Sequence, residues 1–534
     1  MLSRRNLLKK IVPVLILPMA FFVLVARMSD ERAPFFSAGM QDPDYLYLFS
    51  SLSLSKLRAP QHIDNPGTTI QLTGAVALRL WHLKNCFTQK ECGSFTDAVL
   101  LAPEQALKWI SRSIIFVAAL ALGVCGVALT ILGFHAFIVL LVQWAFFLFA
   151  PVVYYQGRVN PEGYMIVPAA LLVAVLAFHL RPSDKTPVRS SVLAVTQGIF
   201  LGLGLATKLV FLPLLLTVFF FRSWRDRLLC CLATVVGFAV FAAPVWLRVR
   251  YFFGWVGHLA GGTHPDSKLP PVAQVFKEFL FSQPYIYRTL FFLGALYLVM
   301  AIAERRKMFQ KFLPTSSRVL GILFLILCVQ LLLVTRRPNM NYFIAPMLVV
   351  LPLSLLCALN SMVLLWKKES QMARGIVAVL FVVLTYHFTY LGKTWVLDIV
   401  SVFDRFHDDR VEQMKLFEKY RGTNCTLVGF YTSSLQTYAL AYGNTYDGGK
   451  YSLDLQRLYP RAVQYNESNR AGFSNFGMPI ADEQVRERMR QGDCFLLYGN
   501  RGRIAEGKIF LNNMQLKHLE SSGNSGIYRL VELR

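Results

Sequence analysis

The sequence predicts a polytopic α-helical membrane protein of about eleven spans, with amphipathic helices in its first outer loop and a small extracytoplasmic α/β domain at the C-terminal end. Three observations predict it. Of the 534 residues, 55% are hydrophobic and only 16% charged, against about 25% charged in soluble domains. Apolar runs long enough to cross a bilayer recur as far as residue 391. Residues 393–534 lose that pattern and alternate between strand-like and helical segments.

The first apolar run, IVPVLILPMAFFVLVA (11–26), follows the basic RRNLLKK. No small-residue cleavage site follows it, so it is expected to be a retained span rather than a signal peptide. Further spans are expected at 112–132, 134–153, 163–180, 191–207, 209–221, 228–247, 286–303, 318–334, 343–365 and 375–391. Charge supports the count. With the N-terminus cytoplasmic, the short inner loops carry 18 Lys or Arg against 4 Asp or Glu, the bias of the positive-inside rule. An odd number of spans then puts the tail outside.

The formal charge of +24 does not indicate nucleic acid, because the tail holds 19 basic against 16 acidic residues. Much of the excess lies in the inner loops, where it faces anionic lipid. Of the nine cysteines, Cys125, Cys230, Cys231, Cys328 and Cys357 fall in or beside spans and read as small apolar residues. Cys86 and Cys92 share the first outer loop, and Cys425 and Cys494 share the tail; an oxidising compartment permits a disulfide in each pair.

The first outer loop, 28–111, is too long for a connector. DPDYLYLFSSLSLSKL spaces Tyr45, Phe49 and Leu52 as a helix lying along the membrane surface. A second helix is expected from Thr68 to Leu83 after the Asn65-Pro66-Gly67 turn, and a third from Ser94 or Thr96 to about Trp109. Beyond the transmembrane part, 1–392, the tail domain, 393–534, offers CTLVGFY (425–431), DCFLLYG (493–499) and GIYRLVEL (526–533) as strands, with helices at 403–420 and 480–491.

Chemistry on a membrane protein gathers where spans meet water, since a charge deeper in hydrocarbon costs several kcal/mol. Charged residues in short outer loops or at outer span ends are therefore the candidates. Asp42 and Asp44 open the surface helix, with His62 and Asp64 just beyond. A carboxylate there can take a proton from an acceptor hydroxyl, or it can simply cap the helix. In YYQGRVNPEGY (154–164), Arg158 and Glu162 stand in a short outer loop with Tyr154 and Asn160; the plain alternative is an outer turn whose Pro161 starts the next helix. Lys208, in GLGLATKLVFLP, is a lone cation between apolar spans, suited either to snorkelling or to a lipid phosphate. Arg336 and Arg337 precede a proline-started span and suit bidentate phosphate binding or anchoring. The Gly/Pro-rich loop 248–285, containing His264 and Asp266, reads as a cover over a site.

These motifs resemble the polytopic C-type glycosyltransferases, whose relatives include the protein O-mannosyltransferases and the aminoarabinose transferases that modify lipid A. The resemblance is carried by DPDY behind the first span, HIDNPGTTIQ, RVNPEG, GLATK followed by FLP, and an Arg-rich turn leading to NYFIAP. It implies transfer of a sugar from a polyprenyl-phosphate donor to a hydroxyl acceptor on lipid, glycan or protein at the outer face, with inversion. Under it Asp44, then Asp42, is the expected base, and Arg158, Lys208, Arg336 and Arg337 are expected to face the donor phosphate. His62, Asp64, Tyr154, Asn160 and His264 are expected at the substrates. Glu162 would assist the base, position the sugar or hold a divalent cation, the one cofactor considered. Where many relatives have Asp-Glu, this chain has Asp42-Pro43-Asp44, which leaves the choice of base open. The competing readings are a transporter or flippase for a lipid-linked sugar and a non-catalytic component of surface-glycan assembly.

Overall fold

The computed structural model describes residues 4–532 except 32–33, 38–40, 64–65, 90–92, 181–188, 262–276, 278–283, 306–312, 335–342, 367–370, 422, 431–432, 467–471, 502–513 and 523–524. Asp64, Cys92, His264, Arg336 and Arg337 lie outside the described residues.

The chain is an integral membrane protein with a sheet domain at its C-terminal end. Helices α1 (Arg4–Glu31), α2 (Gln41–Ser55), α3 (Thr68–Gln89), α4 (Phe95–Leu101) and α5 (Pro103–Ile131) build the first span, its long loop and the next span. Helices α6 (Ala136–Ala145), α7 (Ala150–Tyr155), α8 (Pro161–Tyr164), α9 (Ile166–Leu176) and α10 (Ser190–Thr207) follow, then a 3₁₀ helix, Leu209–Phe220, and α11 (Trp224–Phe241), α12 (Ala243–Trp246) and α13 (Val249–Gly261). The membrane part continues through α14 (Pro284–Arg305), α15 (Leu313–Val334), α16 (Ile344–Trp366) and α17 (Gln371–Arg421).

Seven of the described helices are long and apolar enough to cross a membrane. The spans expected at 134–153, 209–221 and 286–303 coincide with shorter apolar helices, Ala136–Ala145, Leu209–Phe220 and Ile286–Ile302. Physical breaks account for two of these. Helix α6 stops at Ala145 and the chain restarts at α7 with Pro151 in its first turn. The Leu209–Phe220 segment is a 3₁₀ helix with Pro213 inside it; at about 2.0 Å per residue, its few residues reach further than an α-helix would.

The loop after the first span departs from expectation. Helix α2 was expected to lie amphipathically along the membrane surface, yet Asp44 through Ser53 are all buried. The reason is that α2 is enclosed between α3 and a helix of the tail, α18 (Gln436–Tyr446). Gly443 makes this approach possible: a Cβ there would stand 2.7 Å from both the Phe49 ring and the Tyr45 carbonyl oxygen. Buried serines at 50, 51 and 53 keep the rest of α2 narrow enough to be enclosed.

The tail holds α18, α19 (Ser452–Leu458), α20 (Asp482–Arg490) and seven strands, β1 (Cys425–Phe430), β2 (Val463–Asn466), β3 (Gly472–Asn475), β4 (Met478–Ile480), β5 (Cys494–Asn500), β6 (Met514–Ser522) and β7 (Ser525–Glu532). They form one mixed sheet in the order β4-β3-β2-β1-β5-β7-β6. Strand β1 runs parallel to β2 and β5 at the centre, and the outer pairs are antiparallel. The expected domain boundary at 392 falls inside α17, a single helix that continues to Arg421. Cys425 and Cys494 are register partners on β1 and β5 and form a disulfide; Cys86 is also disulfide-bonded.

Candidate active site

Helix directions bring the described candidate polar residues to one side of the membrane part. Asp30, near the end of α1, pairs with Lys108 and Arg112 in the opening turns of α5. Thr68, at the start of α3, donates to the carbonyls of Ala206 in α10 and Phe241 at the end of α11. Glu162 lies in the first turn of α8, and Lys208 directly follows α10.

Asp42 has non-helical torsions, φ −97° and ψ 121°, so regular helix begins only at Pro43, whose fixed φ suits a first helical position. This corner separates the two aspartates. Asp42 is exposed and accepts a hydrogen bond from the Tyr442 phenol at 3.1 Å. Asp44 is 1% exposed and points into the molecule. Its Oδ2 accepts from Arg158 Nε at 2.9 Å and also from Arg158 Nη2, while Oδ1 accepts from the Val159 amide at 2.6 Å. A buried carboxylate and guanidinium paired in this way each satisfy the charge the other would strand.

The RVNPEG segment is shaped to make that contact and a second one. Gly157, at φ +81°, turns the chain, and its carbonyl accepts from Ser29 and Ser111. Asn160 caps α8 by accepting from the Gly163 amide at 2.7 Å, which fixes the turn between Arg158 and Glu162. Glu162 then accepts a hydrogen bond from the Lys208 ammonium, both residues being buried. Lys208 is an extended residue, φ −161°, between α10 and the 3₁₀ helix, and its backbone pairs with Pro66 of the HIDNPG segment. In the same segment the half-buried His62 meets the Tyr47 ring of α2 edge-on at 5.5 Å, and its carbonyl accepts from Gln71. Asp44, Arg158, Glu162, Lys208 and Pro66 are thus joined by contacts and one short turn. Tyr154 is half-buried and stacks edge-on with Tyr155 at 4.9 Å, beside the cluster in sequence.

Three polar neighbours of these residues escape sequence reasoning. Glu104, in the first turn of α5, accepts from the Tyr45 phenol at 2.7 Å and from the Phe35 amide at 2.8 Å. The Phe35 ring also covers the Arg158 guanidinium at 4.8 Å. In the sequence reading Glu104 falls inside the third loop helix, where nothing in its spacing singles it out; the structure instead starts a continuous helix at Pro103 that runs to Ile131. From the tail come Tyr442 and Asp447. The buried Asp447 accepts from Ser53 Oγ at 2.6 Å and the Gln61 amide at 3.0 Å, and Lys450 Nζ lies 3.2 Å from both its oxygens. Burial pushes the Asp447 carboxyl above its ordinary value, against the pull of these partners. Gln61 in turn accepts from Arg248. The tail therefore grips the loop that carries His62.

No group of three or more His, Cys, Asp or Glu residues placed to hold a metal ion occurs among the described residues. Glu162, the carboxylate considered for a divalent cation, is occupied by Lys208.

No family model and no curated protein matches the chain. Among solved structures, the chain is similar to the crystal structure of ArnT from Cupriavidus metallidurans bound to undecaprenyl phosphate, at 11% identity, covering 96% of this chain and 97% of that one, with a TM-score of 0.47.

Proposed function

We propose that the chain is a C-type glycosyltransferase that moves a sugar from a polyprenyl-phosphate carrier to a hydroxyl acceptor on a lipid, glycan or protein, with inversion at the anomeric carbon. One observation carries the reading: two buried pairs, Asp44 with Arg158 and Glu162 with Lys208, are linked by the four-residue step from Arg158 to Glu162 at the converging ends of apolar helices. A lipid-linked sugar phosphate presents its reacting bond at that depth, with its tail among the spans.

In the proposed step the acceptor oxygen attacks the anomeric carbon opposite the phosphate. The carbon–oxygen bond to phosphate breaks, the phosphate leaves with the electron pair, and the acceptor proton passes to a carboxylate. Lys208 exchanges Glu162 for the phosphate and stabilises the charge that grows on it; Arg336 and Arg337 are proposed as further cations for the donor phosphate. The released Glu162 carboxylate is then free to hold a sugar hydroxyl. We assign the proton to Asp42, because it is exposed and accepts one phenolic hydrogen bond, whereas both oxygens of Asp44 are engaged. Asp44 is a positioning residue that fixes Arg158 and the RVNPEG turn. His62, Asp64, Tyr154, Asn160 and His264 are proposed as substrate-contacting residues, and no step is routed through a metal ion.

The inner-loop charge bias and the Cys425–Cys494 disulfide support a cytoplasmic N-terminus and an extracytoplasmic tail. Mass spectrometry of surface glycans and glycolipids from cells with and without the gene tests the function. The expected result is one sugar missing from one acceptor, with its polyprenyl-phosphate form accumulating. Identical glycans and lipids in both strains would refute it.

A further inference from the structure

Helix α18 brings more than packing to the site. Tyr442 and Tyr446, one helical turn apart, lie with ring centroids 4.8 Å apart and planes tilted by 49°. Tyr442 is half-buried and donates to Asp42 Oδ2 at 3.1 Å. Tyr446 is 49% exposed. A half-buried tyrosine and an exposed one are thereby fixed beside the exposed carboxylate assigned as base. Its position is rigid, because Gly443, between the two tyrosines, packs on Tyr45 and Phe49, and Asp447, directly after the helix, is bonded to Ser53 and Gln61.

We infer that Tyr442 and Tyr446 form the acceptor subsite, and that the acceptor is a saccharide whose ring stacks on this platform with a hydroxyl presented to Asp42. The inference rests on the transferase reading and names its acceptor class. A pyranose has an apolar C–H face and a hydroxylated rim, and tyrosine rings match the first at low conformational cost while a carboxylate matches the second. A serine or threonine side chain offers one hydroxyl and too little surface to cover two tilted rings. Burial and the neighbouring Asp42 charge push the Tyr442 phenol well above its ordinary value, so it stays protonated and keeps donating to Asp42. The tail domain, on this inference, is the part of the protein that selects the acceptor.

The test uses purified full-length protein in nanodiscs on an array of cell-surface oligosaccharides, with Ser/Thr-containing peptides printed beside them. Wild type and Tyr446→Trp should capture saccharides, and Tyr446→Ala should capture them at least about tenfold more weakly, the scale of one aromatic contact. Equal capture by Tyr446→Ala, capture of peptides alone, or no saccharide capture by wild type overturns the subsite. Native mass spectrometry of the same preparations with undecaprenyl phosphate separates the two readings. If the lipid binds while saccharide capture ignores Tyr446, only the subsite fails; if wild type does not bind the lipid, the transferase reading fails.

Discussion

Lys208 places its ammonium on the Glu162 carboxylate, joining the end of α10 to the start of α8 across the side of the membrane part where the two aspartates also lie. Neither charge has water to fall back on. Removing one member of such a buried pair costs about 3–5 kcal/mol, while removing both costs far less. Glu162→Gln and Lys208→Met should therefore each destabilise the protein by roughly that amount in denaturant titrations in detergent. The double variant should recover most of the loss. Additive losses would mean that the two residues do not act as a pair.

Asp42 and Asp44, two residues apart, should behave as opposites. Asp42→Asn should lower sugar transfer by about 10²–10⁴-fold, the range for loss of a positioned base, with an unchanged melting temperature. Asp44→Asn should lower the melting temperature, because Arg158 would lose its buried counter-charge. A stable, inactive Asp44→Asn beside an active Asp42→Asn would reverse the assignment.

Asp447 ties the tail to the first loop through Ser53 and the Gln61 amide. Asp447→Ala leaves these donors without an acceptor, at about 1–3 kcal/mol for each group stranded. Hydrogen exchange should quicken through Ser53–Ile63 while the sheet strands stay protected. Unchanged exchange in the loop would show that the tail does not hold it.

The Cys425–Cys494 disulfide closes a separation of 69 residues, for which chain entropy allows about 4 kcal/mol of stabilisation. Cys494→Ser should lower tail stability by up to about that much in pulse proteolysis. In intact cells, a membrane-impermeant thiol reagent should label Cys425 in this variant. Labelling that requires permeabilised cells would place the tail on the cytoplasmic side.

Some of this was legible because a charge in apolar sequence is conspicuous. Arg158, Glu162 and Lys208 stood out that way, and so did the strands β1, β5 and β7 with their β-branched and aromatic residues. Their pairing was not legible. Asp44 and Arg158 are 114 residues apart and Glu162 and Lys208 are 46 apart, separations that no local period encodes. The burial of α2 escaped for a related reason. Part of its cover is supplied by α18, almost 400 residues later, and an apolar helix under a protein lid reads in sequence like one resting on lipid. Strands β2, β3 and β4 are only three or four residues long, too short for alternation to show.

Helix α17 is 51 residues long, or about 75 Å at 1.5 Å per residue, more than twice the roughly 30 Å of bilayer hydrocarbon. After Gly392 it contains neither glycine nor proline, the usual causes of a kink, so it can serve as a stiff lever between the last span and β1. If that span leans by about ten degrees to match a thinner bilayer, the far end swings by roughly 7 Å over the projecting part, taken at 1.5 Å per residue. The Asp447 anchor would bear that load, which gears the tail's seat on the first loop to membrane thickness.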